Sequence, residues 1–262
     1  MSTTQELTMA LADRLDLACS RRTAIGRLTI DHPDLSTDDA YAVQDEVVRR
    51  RIGRGERVVG AKLGLTARAK QVQMGVDQPV FGQLLSGGLH PDGAPISLDQ
   101  LIHPRVEPEI VFRIGERLTG PRVARADVLS ATESVTCGLE IIDSRYADFS
   151  FTAADVIADN TSAAYVVTSP DSRGVSDLDL ALVGLMLEVD GELVSTAAGA
   201  ATMGHPADAV AALANWLFER GQAIEAGWLI YSGGLTAAVP LAGGSCITAT
   251  FASLGSISVT AV

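Results

Sequence analysis

Apolar residues recur at helical spacing near the start of the chain and at alternating spacing over much of the remainder. Between residues 5 and 20, Leu7, Ala10, Leu11, Leu15 and Ala18 fall on one helical stripe. A second helix is expected at STDDAYAVQDEVVRRR, where Ser36 or Thr37 can cap and the acids suit the positive N-terminal end. After Gly53 and Gly55 the pattern changes. ERVVGAKLGL reads as a strand, TARAKQVQM as a short helix and GVDQPVFG as a turn-rich connection. Further strands are expected at HPRVEPEIVFRI, VTCGLEIID, AAYVVT, LALVGLMLEV, GELVSTAA, WLIYSGGL, SCITATF and SISVTAV. Asp190-Gly191, set between apolar runs, marks a hairpin. Two helices interrupt the strands: VARADVLSATE, and HPADAVAALANWLFERG with Pro206 in its first turn and Gly221 at its end. Many strands with few alternating helices do not build a doubly wound parallel sheet. The expected fold is α+β, a mostly mixed β-sheet curled into a barrel- or sandwich-like form. An N-terminal helical lobe over residues 1–55 would precede a β-rich domain over 56–262.

Composition narrows the function classes. The 262 residues are 47% hydrophobic and 20% charged, enough apolar side chain to bury a sizeable core. A formal charge of −12 disfavours nucleic-acid backbones and anionic membranes. It does not disfavour an anionic substrate, because a local cation can reverse the field inside a cleft. Cys19, Cys137 and Cys246 are too far apart for a CxxC zinc site or a disulfide framework, and read as small hydrophobes in a reducing compartment. The first residues carry acids and no long apolar stretch, and no run approaches the roughly 18 apolar residues of a membrane span. A cytoplasmic protein is expected.

One strand changes the picture. In HPRVEPEIVF, period-two alternation puts Arg105, Glu107, Glu109 and Val111 on one face, and Val106, Pro108, Ile110 and Phe112 on the other. Two neighbouring carboxylates on a half-buried face repel. Either the face is solvated and Arg105 pairs one acid, or a cation sits between them. Two features favour the cation. Pro108 cannot donate a ladder hydrogen bond, which suggests an edge or a bulge where side chains are re-aimed. A third acid, Glu140, lies among Leu139, Ile141 and Ile142. Three carboxylates with no nearby His or Cys make a hard, all-oxygen site, suited to Mg2+ first and Mn2+ second.

GAKLGLTARAKQVQMGVDQPVFGQL, HPRVEPEIVF, LEIIDSRYADFSFTAADVIADNTSAAYVV and LVSTAAGAATMGHPADAVAALANWL follow one another along the chain. Together they resemble the 2-keto-4-pentenoate hydratase and 4-oxalocrotonate decarboxylase family of the fumarylacetoacetate hydrolase superfamily, from about residue 40 to the C-terminus. The resemblance implies a superfamily-like β-rich catalytic domain, a divalent metal and a 2-oxo acid from meta-cleavage breakdown of aromatic compounds. It matches Glu107, Glu109 and Glu140 to the family's metal-binding acids and Lys62 to its active-site lysine. Asp77 and Ser162 match pocket positions, although Thr161-Ser162-Ala163 departs from the usual run of small residues and serines. SRYADFSFTAADV, Val80 and SGGLT are similar to the decarboxylase branch.

The resemblance therefore implies a carboxy-lyase acting on 2-oxohex-3-enedioate, giving 2-hydroxypenta-2,4-dienoate and CO2. The alternatives are a hydro-lyase that hydrates that dienoate, and a silent partner subunit of a paralogous hydratase or a homo-oligomer. Lys62 would be the second electrophile rather than an exposed strand lysine. Arg145 would grip a substrate carboxylate, or pair with Asp143 or Asp148. Asp77 and Asp159 would orient Lys62 or hold a turn. Leu63, Val80, Phe149, Ser162 and Asp159 complete the expected substrate contacts. His205, before Pro206, reads as a helix start rather than a base.

Overall fold

The computed structural model describes residues 3–262. Helices α1 (Thr3–Arg21) and α2 (Thr37–Gly53) pack together at the start. Ser36 caps α2 reciprocally: its hydroxyl accepts the Asp39 N–H at 3.1 Å, and the Asp39 carboxylate accepts the Ser36 N–H at 3.3 Å. Four shorter helices follow, α3 (Arg68–Met74), α4 (Arg125–Ala131), α5 (Ala153–Ala158) and α6 (Pro206–Glu219). As expected of GHP, His205 caps α6, its Nδ1 accepting the Ala207 N–H at 3.1 Å.

The strands are β1 (Val58–Gly64), β2 (Val80–Leu85), β3 (Arg105–Ile114), β4 (Thr132–Ile142), β5 (Ala163–Thr168), β6 (Gly184–Val189), β7 (Glu192–Ala198), β8 (Leu229–Tyr231), β9 (Val239–Pro240), β10 (Cys246–Phe251) and β11 (Gly255–Thr260). They form two sheets. One runs β2-β1-β8-β3-β4-β5 with β9 also paired to β3; the other runs β11-β10-β6-β7. The β1–β8 pair is parallel and the other strand pairs antiparallel, so the large sheet is mixed. Its two ends are drawn together. Leu89, just beyond β2, bridges Val166 of β5, and the His90 N–H donates to the Val166 carbonyl at 2.9 Å. The sheet is thereby curled, and the α+β expectation describes it. In the small sheet, Asp190 and Gly191 take φ 53° and 82° at the β6–β7 turn, the positive pair that a two-residue hairpin with matching twist requires.

One core runs through the molecule. Leu11, Leu15, Tyr41 and Val43 of the N-terminal helices join Ile110 and Phe112 of β3, Leu139 and Ile141 of β4, Val210 and Leu213 of α6, and Ile247 of β10. Each fully buried side chain of this size contributes about 1.5–3 kcal/mol. Gln44 of α2 ties the layers, donating to the carbonyls of Phe81 and Ile157, both at 2.9 Å.

Two local expectations are corrected. GVDQPVFG is not wholly a connection, because its last residues begin β2. Pro108 marks neither a sheet edge nor a bulge: β3 pairs with β4 through Pro108↔Leu139 and is flanked on its other side by β9 and β8. The Pro108 carbonyl accepts from Leu235 N–H at 3.0 Å, so its donorless nitrogen faces the gap between the β9 and β8 ladders. The proline thus occupies an interior strand without breaking a ladder bond. Helix α5 went unanticipated, although its Thr152/Asp155 capping box is written in TAAD.

Candidate metal centre

The β3–β4 register sets Glu107 opposite Glu140 and Glu109 opposite Gly138. Directly paired side chains on one sheet face stand about 4.5–5.5 Å apart at Cβ, so alternation alone gathers these acids. Each contributes an oxygen to a set whose members lie within 4.8 Å of one another. Glu109 and Glu140 are fully buried, whereas Glu107 is partly open. Lys62 arrives from β1 and is 2% exposed. Its Nζ lies 2.9 Å from Glu140 Oε2 and donates to the Thr161 carbonyl at 3.0 Å.

Electrostatics sharpen the arrangement. Burial opposes the Lys62 ammonium, yet Glu140, Glu107 and Glu109 outweigh it and hold the lysine above its ordinary value, protonated. Burial and then the Glu140 charge push Glu109 well above the usual carboxylate range; burial likewise raises Glu140, against the pull of Lys62. Glu109 Oε2 accepts the Gly233 N–H at 2.6 Å, where Gly233 takes φ 116°, a conformation other residues rarely adopt. Glu109 Oε1 and both Glu140 oxygens are buried without a hydrogen bond; the Lys62–Glu140 contact is close in distance but not aligned as one. Buried acceptors left this way are costly. A hard dication with all-oxygen preference is the partner they fit.

The centre opens into a cavity of about 500 Å3. Its wall includes Lys62, Lys70, Arg105, Glu107, Val80, Phe149, Phe151, Thr161 and Ser162. Asn160, Thr161 and Ser162 take φ 47°, 52° and 61°, three successive left-handed residues in a turn that aims the Thr161 carbonyl at Lys62. The turn is clamped by Asn160, whose side chain accepts from Gln83 N–H at 2.8 Å and donates to Gln83 O at 2.9 Å. At Gly82 a Cβ would collide with Thr161 Oγ1, so this approach requires glycine.

No family model matches the chain. A 4-oxalocrotonate decarboxylase of Pseudomonas sp. strain CF600 is 45% identical over 255 residues, 97% of this chain and 97% of that one. The chain belongs to the 4-oxalocrotonate decarboxylase and 2-keto-4-pentenoate hydratase family. A hydratase member, the 2-hydroxypent-2,4-dienoate hydratase of Pseudomonas putida, is 41% identical over 79% of this chain and 94% of its own. The solved 4-oxalocrotonate decarboxylase of Pseudomonas putida G7, complexed with magnesium and adipate, is similar at TM-score 0.96 and 42% identity over 100% of both chains.

Of the residues this family resemblance singled out, the structure brings together Glu107, Glu109, Glu140 and Lys62, with Val80, Phe149 and Ser162 on the cavity wall. Others lie elsewhere. Leu63 follows Lys62 in β1, so it points to the opposite face and packs in the core. Asp77 is exposed in the turn between α3 and β2. Arg145 pairs with neither Asp143 nor Asp148 through their side chains. Its guanidinium contacts the Asp159 carboxylate and donates to the Asp143 carbonyl at 2.8 Å and the Ala163 carbonyl at 3.2 Å. Arg145 and Asp159 line a separate cavity of about 390 Å3 behind the 160–162 turn. Lys70, Gln73 and Met74 are pocket residues that the sequence reading passed over. Their i, i+3, i+4 spacing on α3 was the available signal.

Proposed function

We propose that this protein is a Mg2+-dependent carboxy-lyase that converts 2-oxohex-3-enedioate to 2-hydroxypenta-2,4-dienoate and CO2 in meta-cleavage breakdown of aromatic compounds. The observation that carries this reading is the meeting of three carboxylates with a buried, charged Lys62, beside a cavity that Lys62 and Glu107 line. Glu107, Glu109 and Glu140 would hold Mg2+, which supplies Lewis-acid polarisation of the substrate's 2-oxo group. Lys62 would donate a hydrogen bond to the oxygen on which charge develops. As the bond to the far carboxylate breaks, its electron pair moves through the double bond to that oxygen. One proton from Lys62 completes the dienol, and CO2 leaves with both its oxygens. The acids hold Lys62 in its protonated form, able to donate that hydrogen bond. Val80, Phe149, Phe151 and Val156 give the cavity an apolar wall, which limits the water available to add to the dienol.

Incubation with Mg2+ and freshly generated 2-oxohex-3-enedioate is expected to release CO2 and the dienol. Hydration of the dienol without CO2 release from the diacid would select the hydratase reading, which the 41% identical relative keeps in second place. A hydratase would consume the dienol, so a paralogous hydratase is the proposed protein partner. No helix among the described residues is long and apolar enough to cross a membrane. A cytoplasmic setting is the proposed location, supported by three free cysteines.

A further inference from the structure

Arg105 is the cation of the cavity wall whose side chain has no carboxylate partner among the described residues. Lys62 contacts Glu140 and Lys70 lies 3.7 Å from Glu107, whereas the guanidinium of Arg105 stacks 4.0 Å from the Phe149 ring centroid. Stacking engages the flat face of a guanidinium and leaves its N–H edge available, the edge that grips carboxylates bidentately. The platform beneath it is built. Phe149 and the preceding Asp148 take φ 53° and 57°, strained for residues with side chains, and bulky residues rarely tolerate it. The His103 ring lies 4.7 Å from Phe149 on the other contact and is pinned by Nε2, which donates to the Ser144 carbonyl at 2.7 Å.

Spacing and charge agree on what the edge is for. Arg105 and Glu107 share a face of β3 two residues apart, about 7 Å along the strand. That separation is of the order spanned by a short dicarboxylate with one end at the acids. Three carboxylates at the centre are matched in formal charge by Lys62, Lys70 and Arg105. A dication then leaves two positive charges, which a dianion neutralises and a monoanion does not.

We propose that Arg105 binds the far carboxylate of the 2-oxo dicarboxylate and sets the preference of this site for diacids over monoacids. The inference rests on the decarboxylase reading and deepens it. Because that carboxylate departs as neutral CO2, the ion pair is made in the ground state and lost on the way to the transition state. Arg105 therefore contributes to substrate binding and not to lowering the barrier.

The test is calorimetric titration of the Mg2+-loaded protein with 2-oxoadipate and 2-oxohexanoate, which differ only at the far carbon. The wild type is expected to prefer the diacid. Arg105→Gln should weaken 2-oxoadipate binding about 10- to 100-fold and leave 2-oxohexanoate unchanged, with Arg105→Lys recovering part of the loss. In turnover, Arg105→Gln should raise KM for the diacid without lowering kcat. Equal loss for both ligands, an undiminished diacid preference, or a fall in kcat at unchanged KM would overturn the assignment and leave the metal site standing. Failure of the wild type to bind either acid in a Mg2+-dependent way would overturn the decarboxylase reading and this inference together.

Discussion

Lys62 and the three acids restrain one another. The lysine partly neutralises Glu140, and the acids keep the lysine charged. Removing the cation should therefore separate two roles. Lys62→Met is expected to lower kcat about 10²- to 10⁴-fold, the usual worth of a positioned proton donor. The same variant should bind Mg2+ more tightly, because a positive charge beside the site is gone; weaker binding by Mg2+ titration would count against the arrangement. Much of this centre was legible residue by residue. Period two placed Glu107 and Glu109 on one face, and three carboxylates without a soft ligand pointed to a hard ion. What could not be read was that Lys62 of β1 meets Glu140 of β4, or that Arg105 turns from the acids to Phe149. Those are contacts between distant segments.

At the level of elements, the 160–162 turn depends on what stands behind it. Arg145 and Asp159 are both buried, and their contacts fix the C-terminal end of α5, from which the turn leaves. Arg145→Met would leave the buried Asp159 without its cation. Such truncations cost about 3–5 kcal/mol, to be measured by urea unfolding. A similar Arg pairing acts on α2 with a pH signature. Hydrogen bonds from Arg49, and also Arg50, hold Glu46 down to about 2 from an ordinary 4.5. A lowered carboxyl stabilises the fold above its unfolded value and loses that contribution as pH falls through the folded one. The stability gap between wild type and Glu46→Gln should thus be level above about pH 4.5 and close progressively below it. A gap that is unchanged down to pH 3 would show that the pair adds nothing. The α2 cap and the Asp190-Gly191 hairpin were legible because each is decided by residues adjacent in sequence. β2 was missed because GVDQP carries strong turn residues right up to the strand.

For the whole molecule, holding three acids together with only Lys62 and Lys70 beside them and no metal ion is the least comfortable feature of the fold. The proposed Mg2+ would bind the folded chain and would have no comparable site in the unfolded one. At a hundredfold excess over its Kd it should add about 2.7 kcal/mol, raising Tm by several degrees. EDTA should reverse the shift, and Glu109→Gln should melt no lower than wild type without metal while losing the Mg2+ increment. A metal-independent Tm in the wild type would contradict the centre. The sequence by itself determined five of the six helices and most of the strands, the acid-bearing face of β3, and a family whose motifs run in order along the chain. These follow from periodicity, capping and turn chemistry, which act over a few residues. Only the tertiary structure decided that β3 is an interior strand despite Pro108, that the curled sheet carries Lys62 to the acids, and that Arg145 is spent on Asp159. Each of these depends on which strands become neighbours, and neighbourhood is set by closing one core around both sheets and the helices rather than by any local run of residues.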